Sequence, residues 1–148
     1  MEPLDLAVAA PRSPSESLGG LVMLARTIDK LRAELPGGNR GAYQSERGLT
    51  ILQLEMLGIS RDELLDVVAS AASDDDVVRW VHAHSDGSRY AAINQRLSQY
   101  TLADNPPERW AYVDALYPNR PPLPREQVNV FDMLDQDDRE SFPSSLSP

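Results

Sequence analysis

Five side chains in the first third of the chain have the types and spacing to hold an anion: Arg12, Arg26, Asp29, Lys30 and Tyr43. Arg26 stands three residues before Asp29 and four before Lys30, so on a helix these groups are surface neighbours. Arg12 lies just upstream and Tyr43 just downstream. An arginine fork matches a carboxylate or phosphate in two parallel hydrogen bonds, so a small polar pocket between helices with these residues would take an anionic ligand. The plainer reading is a solvated helix face on which Asp29 and Arg26 form an ion pair worth under about 1 kcal/mol. Convergence of the five side chains on a cleft separates the two readings.

The other polar constellations call for less. His82 and His84 are two residues apart and point about 200° away from each other on a helix, so they do not chelate one metal. The acidic run Asp132, Asp135, Asp137 and Asp138 lacks the glycine and the closing glutamate of an EF-hand loop and reads as a solvated tail. Asp74, Asp75 and Asp76 read as a helix start, where carboxylates favour the positive end of the helix dipole. There is no cysteine, which excludes a thiolate metal site, a cysteine nucleophile and a dithiol centre. No dinucleotide fingerprint, Walker loop or nucleophile elbow occurs. Gly37-Gly38-Asn39-Arg40-Gly41 follows a helix instead of feeding one, so it is a C-cap and turn and not a phosphate cradle. No catalytic residue, metal ligand or cofactor is nominated.

The elements that must position the five residues follow from periodicity. Leu21, Leu24, Ile28, Leu31 and Leu35 recur at steps of three and four, which predicts a helix over residues 18–35 with Arg26, Asp29, Lys30, Arg32 and Glu34 on the remaining surface. Ser13-Pro14-Ser15-Glu16 reads as a capping box for a short turn ahead of it. Residues 36–48 are a glycine-rich loop carrying Tyr43. Residues 49–59 fit a strand or a helix; helical neighbours favour helix, closed by Gly58. Further helices are expected over 61–72, opened by the Ser60 capping box, over 74–84, and over 89–100. Another follows Asn105-Pro106-Pro107-Glu108, with Asn105 as cap and Trp110, Val113, Leu116 and Tyr117 as core residues. Pro118 to Pro124 is an extended connector, and Asn129 caps a last short helix that docks through Val130, Phe131 and Leu134. The sum is an all-α fold, one compact bundle of six or seven short helices with a Pro-rich connector. Residues 1–135 form the domain, and 136–148 a loose acidic tail.

The chain has 148 residues and a formal charge of −9. Its basic residues are scattered among more numerous acids, which argues against nucleic acid and against anionic membrane as partners. Lys30 is the only lysine among fourteen Lys and Arg residues. No stretch approaches the eighteen or so apolar residues of a membrane span, and the first sixteen residues lack a signal peptide's basic region, so a soluble cytoplasmic protein is expected.

Pro11-Arg12-Ser13-Pro14, Leu18-Gly19-Gly20 and Leu24-x-Arg26-x-Ile28-Asp29-Lys30-x-Arg32-Ala33 together resemble the start of a bacterial family catalogued as domain of unknown function 5069. Gly58-Ile59 and Phe131-Asp132-x-Leu134-Asp135 are also similar to it, so the resemblance runs from about Asp5 to Asp138. It implies a small helical domain with no assigned activity, and it draws attention to Arg12, Arg26, Asp29 and Lys30, which belong to the matching string. Family members often carry an Asn-Cys-Pro-like segment after the tyrosine equivalent to Tyr43. Here Gln44-Ser45-Glu46-Arg47 stands instead, so a site lined by that segment would be altered.

Two functional readings remain. The absence of a catalytic constellation, with Pro-rich and acidic extensions on a helical body, points to a non-catalytic binding or protein-interaction domain whose partner is another protein. The alternative is a small enzyme or ligand-binding protein that holds an anionic metabolite at the Arg/Lys/Asp cluster. The sequence leaves the oligomeric state open.

Overall fold

The hydrophobic string 18–35 folds in two parts. Leu18 and Leu21 exchange backbone hydrogen bonds of 2.9 and 3.1 Å in a tight turn, and the helix proper, α1, spans Leu24–Ala33. Gly19 sits in this turn at φ +62°, and a β-carbon there would come within 2.7 Å of Val78, so the turn seats on a neighbouring helix only as glycine. The capping box expected at Ser13 does not form. Its hydroxyl accepts from the Ser15 N–H at 3.2 Å, and its carbonyl accepts from the Glu16 N–H in a single turn. A serine hydroxyl that bonds two residues on favours a turn over a helix start.

In the computed structural model, which describes residues 1–143, six further α-helices follow. They are α2 Gly48–Leu57, α3 Arg61–Ser70, α4 Asp74–Ala83, α5 Tyr90–Ser98, α6 Trp110–Leu116 and α7 Val130–Ser141. The fold is all-α; pairing of strand type among the described residues is confined to three isolated bridges. The ambiguous stretch after residue 48 is helical and ends on Gly58 in the left-handed conformation. Ser60 caps α3 by accepting from the Glu63 N–H at 3.3 Å, and Asn129 caps α7 by accepting from the Asp132 N–H at 3.1 Å. Asn105 does not cap α6. Its side chain accepts from the Tyr100 hydroxyl and its carbonyl from the Trp110 indole, both at 2.9 Å, so the helix starts from Pro106 through one 3-10 turn. No described helix is long and apolar enough to cross a membrane.

Leu21, Leu24, Ile28 and Leu31 form one core with Leu54, Leu64, Val68, Val77, Val81, Leu97 and Phe131. Neighbours surround α1 on nearly every side. Arg26 is 1% exposed and Asp29 5%, so the expected solvated polar face is corrected: α1 is the central helix, and its charged residues must find partners inside. Thr27 is buried too and donates to Gln53 Oε1 at 3.3 Å, while the Gln53 amide donates to the Val22 carbonyl at 2.6 Å.

Two other expectations change. None of the residues of α6 is buried, and Leu116 is 49% exposed; of the four expected core residues, Val113 and Tyr117 are partly buried against the core, whereas Trp110 and Leu116 do not belong to it. Val113, Leu116 and Tyr117 also line a cavity. The loose tail expected from residue 136 is helical through Ser141, because Asp138 is drawn inward to Arg26. Residues 144–148 of that tail lie outside the described residues.

Candidate functional site

A cavity of about 530 Å³ opens between α1, the loop before α2, α6 and α7. Met23, Leu49, Leu102, Val130 and Met133 are buried side chains on its lining, with Tyr112, Val113, Leu116 and Tyr117 of α6 on the far side. This size, with apolar walls and a few polar groups, is typical of a small-molecule pocket. Two devices hold the surrounding elements in place. Asp114 of α6 accepts from both Arg120 and Arg125 in the connector, at 3.2 and 2.8 Å. In the loop before α2, the buried Ser45 hydroxyl donates to Glu34 and accepts from Arg61 Nε at 2.8 Å, which ties Tyr43 and Arg47 to α1 and α3. Gly41 enters that loop at φ +56°, where a β-carbon would lie 2.8 Å from the Leu6 carbonyl oxygen. Met23 caps α1 at φ +69°, a strained position for a residue with a side chain, and it too lines the cavity.

Arg26, Lys30 and Tyr43 converge on this cavity. Arg26 Nη1 donates to Asp138 Oδ2 at 2.7 Å and to the Arg12 carbonyl at 3.2 Å, and its plane lies over the Tyr43 ring at 5.4 Å. The Tyr43 hydroxyl donates to Asp138 Oδ1 at 2.6 Å. Burial, and then the hydrogen bond to Asp138, push the Tyr43 phenol far above its ordinary range, so it stays protonated. Arg26 Nε is buried with no hydrogen-bond partner among the described residues.

Lys30 is the only lysine of the chain. Its Nζ donates to the buried Thr50 hydroxyl at 3.2 Å, and no carboxylate among the described residues pairs with it. Burial, and then the positive charge of Arg26, pull its amine from 10.5 down to about 7, against the opposing pull of Asp138, Glu46 and Glu34. On the same lining, burial and the charges of Asp138 and Glu140 raise the Asp137 carboxyl above the ordinary carboxylate range. Arg47 and Arg109 also line the cavity, stacked on the one Tyr112 ring at 5.6 and 5.7 Å, and neither has an acidic partner among the described residues.

Arg12 and Asp29 go elsewhere. Arg12 donates to Asp29 through its backbone N–H at 2.8 Å and through Nε and Nη2 at 3.0 Å each, and to Asp74 of α4 at 2.8 Å. Burial lowers the proton affinity of that guanidinium, but the bonds to Asp74 and Asp29 more than offset it and hold it above the ordinary value. This is a closed structural clamp joining the N-terminal segment, α1 and α4. Sequence reasoning therefore named three cavity residues and two clamp residues. It missed Asp137, Asp138, Arg47 and Arg109. Asp138 did carry a signal: it falls four residues after Leu134 and seven after Phe131, on the apolar stripe of α7, where a charge must be paired. Arg47 and Arg109 carried none, because both belong to the approach to a helix and not to a periodic face. The histidines lie apart from the cavity, His82 against the Gly19 carbonyl and His84 stacked on Trp80 at 4.1 Å.

The sequence profile of the family described as Domain of unknown function (DUF5069) matches residues 8–140. The chain belongs to that family. No curated protein is found to match it. The matched stretch of this DUF5069 member includes the charged residues of the cavity lining, from Arg26 and Lys30 to Asp137.

Proposed function

We propose that this DUF5069 domain is a small-molecule binding protein whose ligand is an organic anion with an apolar or aromatic body. The observation that carries this reading is a cavity of about 530 Å³ on whose lining two arginines, Arg47 and Arg109, lack an acidic partner among the described residues. The chain carries a net charge of −9, yet none of its described carboxylates forms an ion pair with them. Aromatic and aliphatic walls supply burial for the ligand's body, and the paired arginines over Tyr112 supply its charge complement. The reading as a protein-interaction domain loses part of its support, since Asp138 of the acidic tail is occupied by Arg26 and Tyr43.

Anilinonaphthalene sulfonate, an aromatic anion whose fluorescence rises in apolar surroundings, tests the reading directly. Saturable binding with an accompanying rise in Tm is the expected result, since a ligand that binds only the folded chain stabilises it by about 2.7 kcal/mol at a hundred times its Kd. Binding should weaken in high salt and in Arg47→Ala with Arg109→Ala. Dye fluorescence that appears only as the protein unfolds would end the proposal.

A further inference from the structure

We infer that Lys30 is a nucleophile: its amine condenses with an aldehyde or ketone that carries an anionic group and sits in the cavity, forming an iminium there. The inference rests on the cavity being a ligand site, and it adds a class of ligand and a covalent step. Four features favour carbonyl chemistry over simple charge pairing. The permanent positive charge on the cavity lining is already supplied by Arg26, Arg47 and Arg109, and an additional ammonium would add little. Lysine, unlike arginine, can act as an amine, and the only lysine of the chain stands here. Lys30 Nζ has no carboxylate partner among the described residues to keep it charged, and its one partner, the buried Thr50 hydroxyl, accepts a single hydrogen bond and leaves the nitrogen free for the cavity. Its surroundings also favour the neutral form near pH 7, as a nucleophilic lysine requires.

The step is balanced within the site. The nitrogen lone pair forms a bond to the carbonyl carbon, the π pair moves to oxygen, and that oxygen takes the proton lost from nitrogen, giving a carbinolamine. A second proton on the hydroxyl lets the carbon–oxygen bond break, and water leaves as the nitrogen lone pair forms the iminium. Asp137, on the same lining and with its carboxyl raised above the usual carboxylate range by burial and the charge of Asp138, is the group to supply that proton. The remaining charged groups that face Lys30 are Arg26, Glu34, Glu46 and Asp138. Arg26 favours loss of the lysine proton, and the three carboxylates oppose it.

Reductive trapping tests this directly, because Lys30 is the only lysine of the 148 residues. The Met1 amine is tied to the Val68 and Ala71 carbonyls at 3.0 and 2.7 Å. The intact protein is treated with glyoxylate and cyanoborohydride at pH 7, and the site and rate of modification are read by peptide mass spectrometry. The expected result is modification at Lys30 on the order of a hundredfold faster than at Nα-acetyllysine, with a rate that levels off above neutral pH instead of rising to the ordinary lysine range. Lys30→Arg should give no adduct at position 30. Asp137→Asn should slow trapping at Lys30. Trapping at Lys30 no faster than at the free amino acid, with dye binding intact, overturns the iminium and leaves the binding proposal standing. Loss of both in the wild-type protein overturns the two together.

Discussion

One helix carries two charged clusters with opposite designs. On one side of α1, Asp29 meets the backbone and guanidinium of Arg12, which also reaches Asp74, and every strong donor of that fork has an acceptor. On the other side, Arg26 and Lys30 face a cavity in which Arg26 Nε has no partner and Lys30 has only a hydroxyl. Arg26, Asp29 and Lys30 lie within five consecutive positions, so the difference does not arise from local sequence. It arises from what packs opposite: α4 presents Asp74 to the first side, whereas α6 stands off from the second and leaves room for a ligand. A satisfied clamp holds elements together; a set of unmatched cations over apolar walls is suited to bind something else.

The largest effect should come from the one pair that belongs to both designs. Arg26 and Asp138 join α1 to α7 at 2.7 Å with the guanidinium 1% exposed. Asp138→Ala leaves that charge buried and unpaired, and a loss of about 3–5 kcal/mol in chemical denaturation is expected. It should also release the end of α7, measurable as faster amide exchange over residues 135–141. A loss near 1 kcal/mol would mean that the pair is solvated and that α7 is held by its apolar face alone.

Next in size is the clamp. Asp29→Ala removes three charge-assisted bonds from a partly buried Arg12, and about 2 kcal/mol should be lost. The comparison requires that affinity for anilinonaphthalene sulfonate stay the same in that variant once it is folded. A drop in affinity at full folding would show that the two sides of α1 are not independent.

These two cases also mark how far the sequence could be read. The helix pattern of residues 24–33 and the caps at Ser60 and Asn129 were legible because they rest on local spacing and hydrogen bonding. The burial of Arg26 and Asp29 was not, since periodicity places a residue on a face but says nothing of how many neighbours surround the helix. A helix with charges on one side reads as a surface helix unless their partners are known, and those partners stand 17 and 112 residues away. The cavity escaped for the converse reason. Val113, Leu116 and Tyr117 have the spacing of a core face, and apolar residues that line a ligand cavity have the same spacing as residues that fill a core.

A smaller effect, with a distinctive pH profile, belongs to Lys30. The folded chain releases this proton near pH 7, whereas the unfolded chain holds it to about 10.5. Between those values the unfolded state binds one proton more, so stability rises with pH across that window; below it the charged amine is a full penalty. Lys30→Met should therefore gain stability over wild type at pH 6, on the order of 1–2 kcal/mol after discounting for solvent reaching the amine through the cavity, and the gain should vanish by pH 10. A gain that does not change with pH would place the effect in packing and not in charge.

The smallest change in stability should accompany the clearest change in binding. Arg47 is exposed, Arg109 is half-buried, and neither has an acidic partner among the described residues, so replacing either with alanine should move stability by no more than about 0.5 kcal/mol. Each should nonetheless weaken the aromatic anion by about tenfold, equal to 1.4 kcal/mol of binding. The fall should be steeper at low salt, where an unshared charge acts over a longer distance. Tyr112 separates their two roles. In Tyr112→Leu the wall remains apolar but the shared platform for both guanidinium groups is gone, and the Arg47 hydrogen bond of 3.2 Å to the Tyr112 hydroxyl is lost with it. If positioning matters, that variant should lose nearly as much affinity as the double arginine replacement. If charge alone matters, it should bind almost as the wild type does and keep the same salt dependence, and the two arginines would then be a diffuse field at the mouth of the cavity instead of a built receptor for an anion.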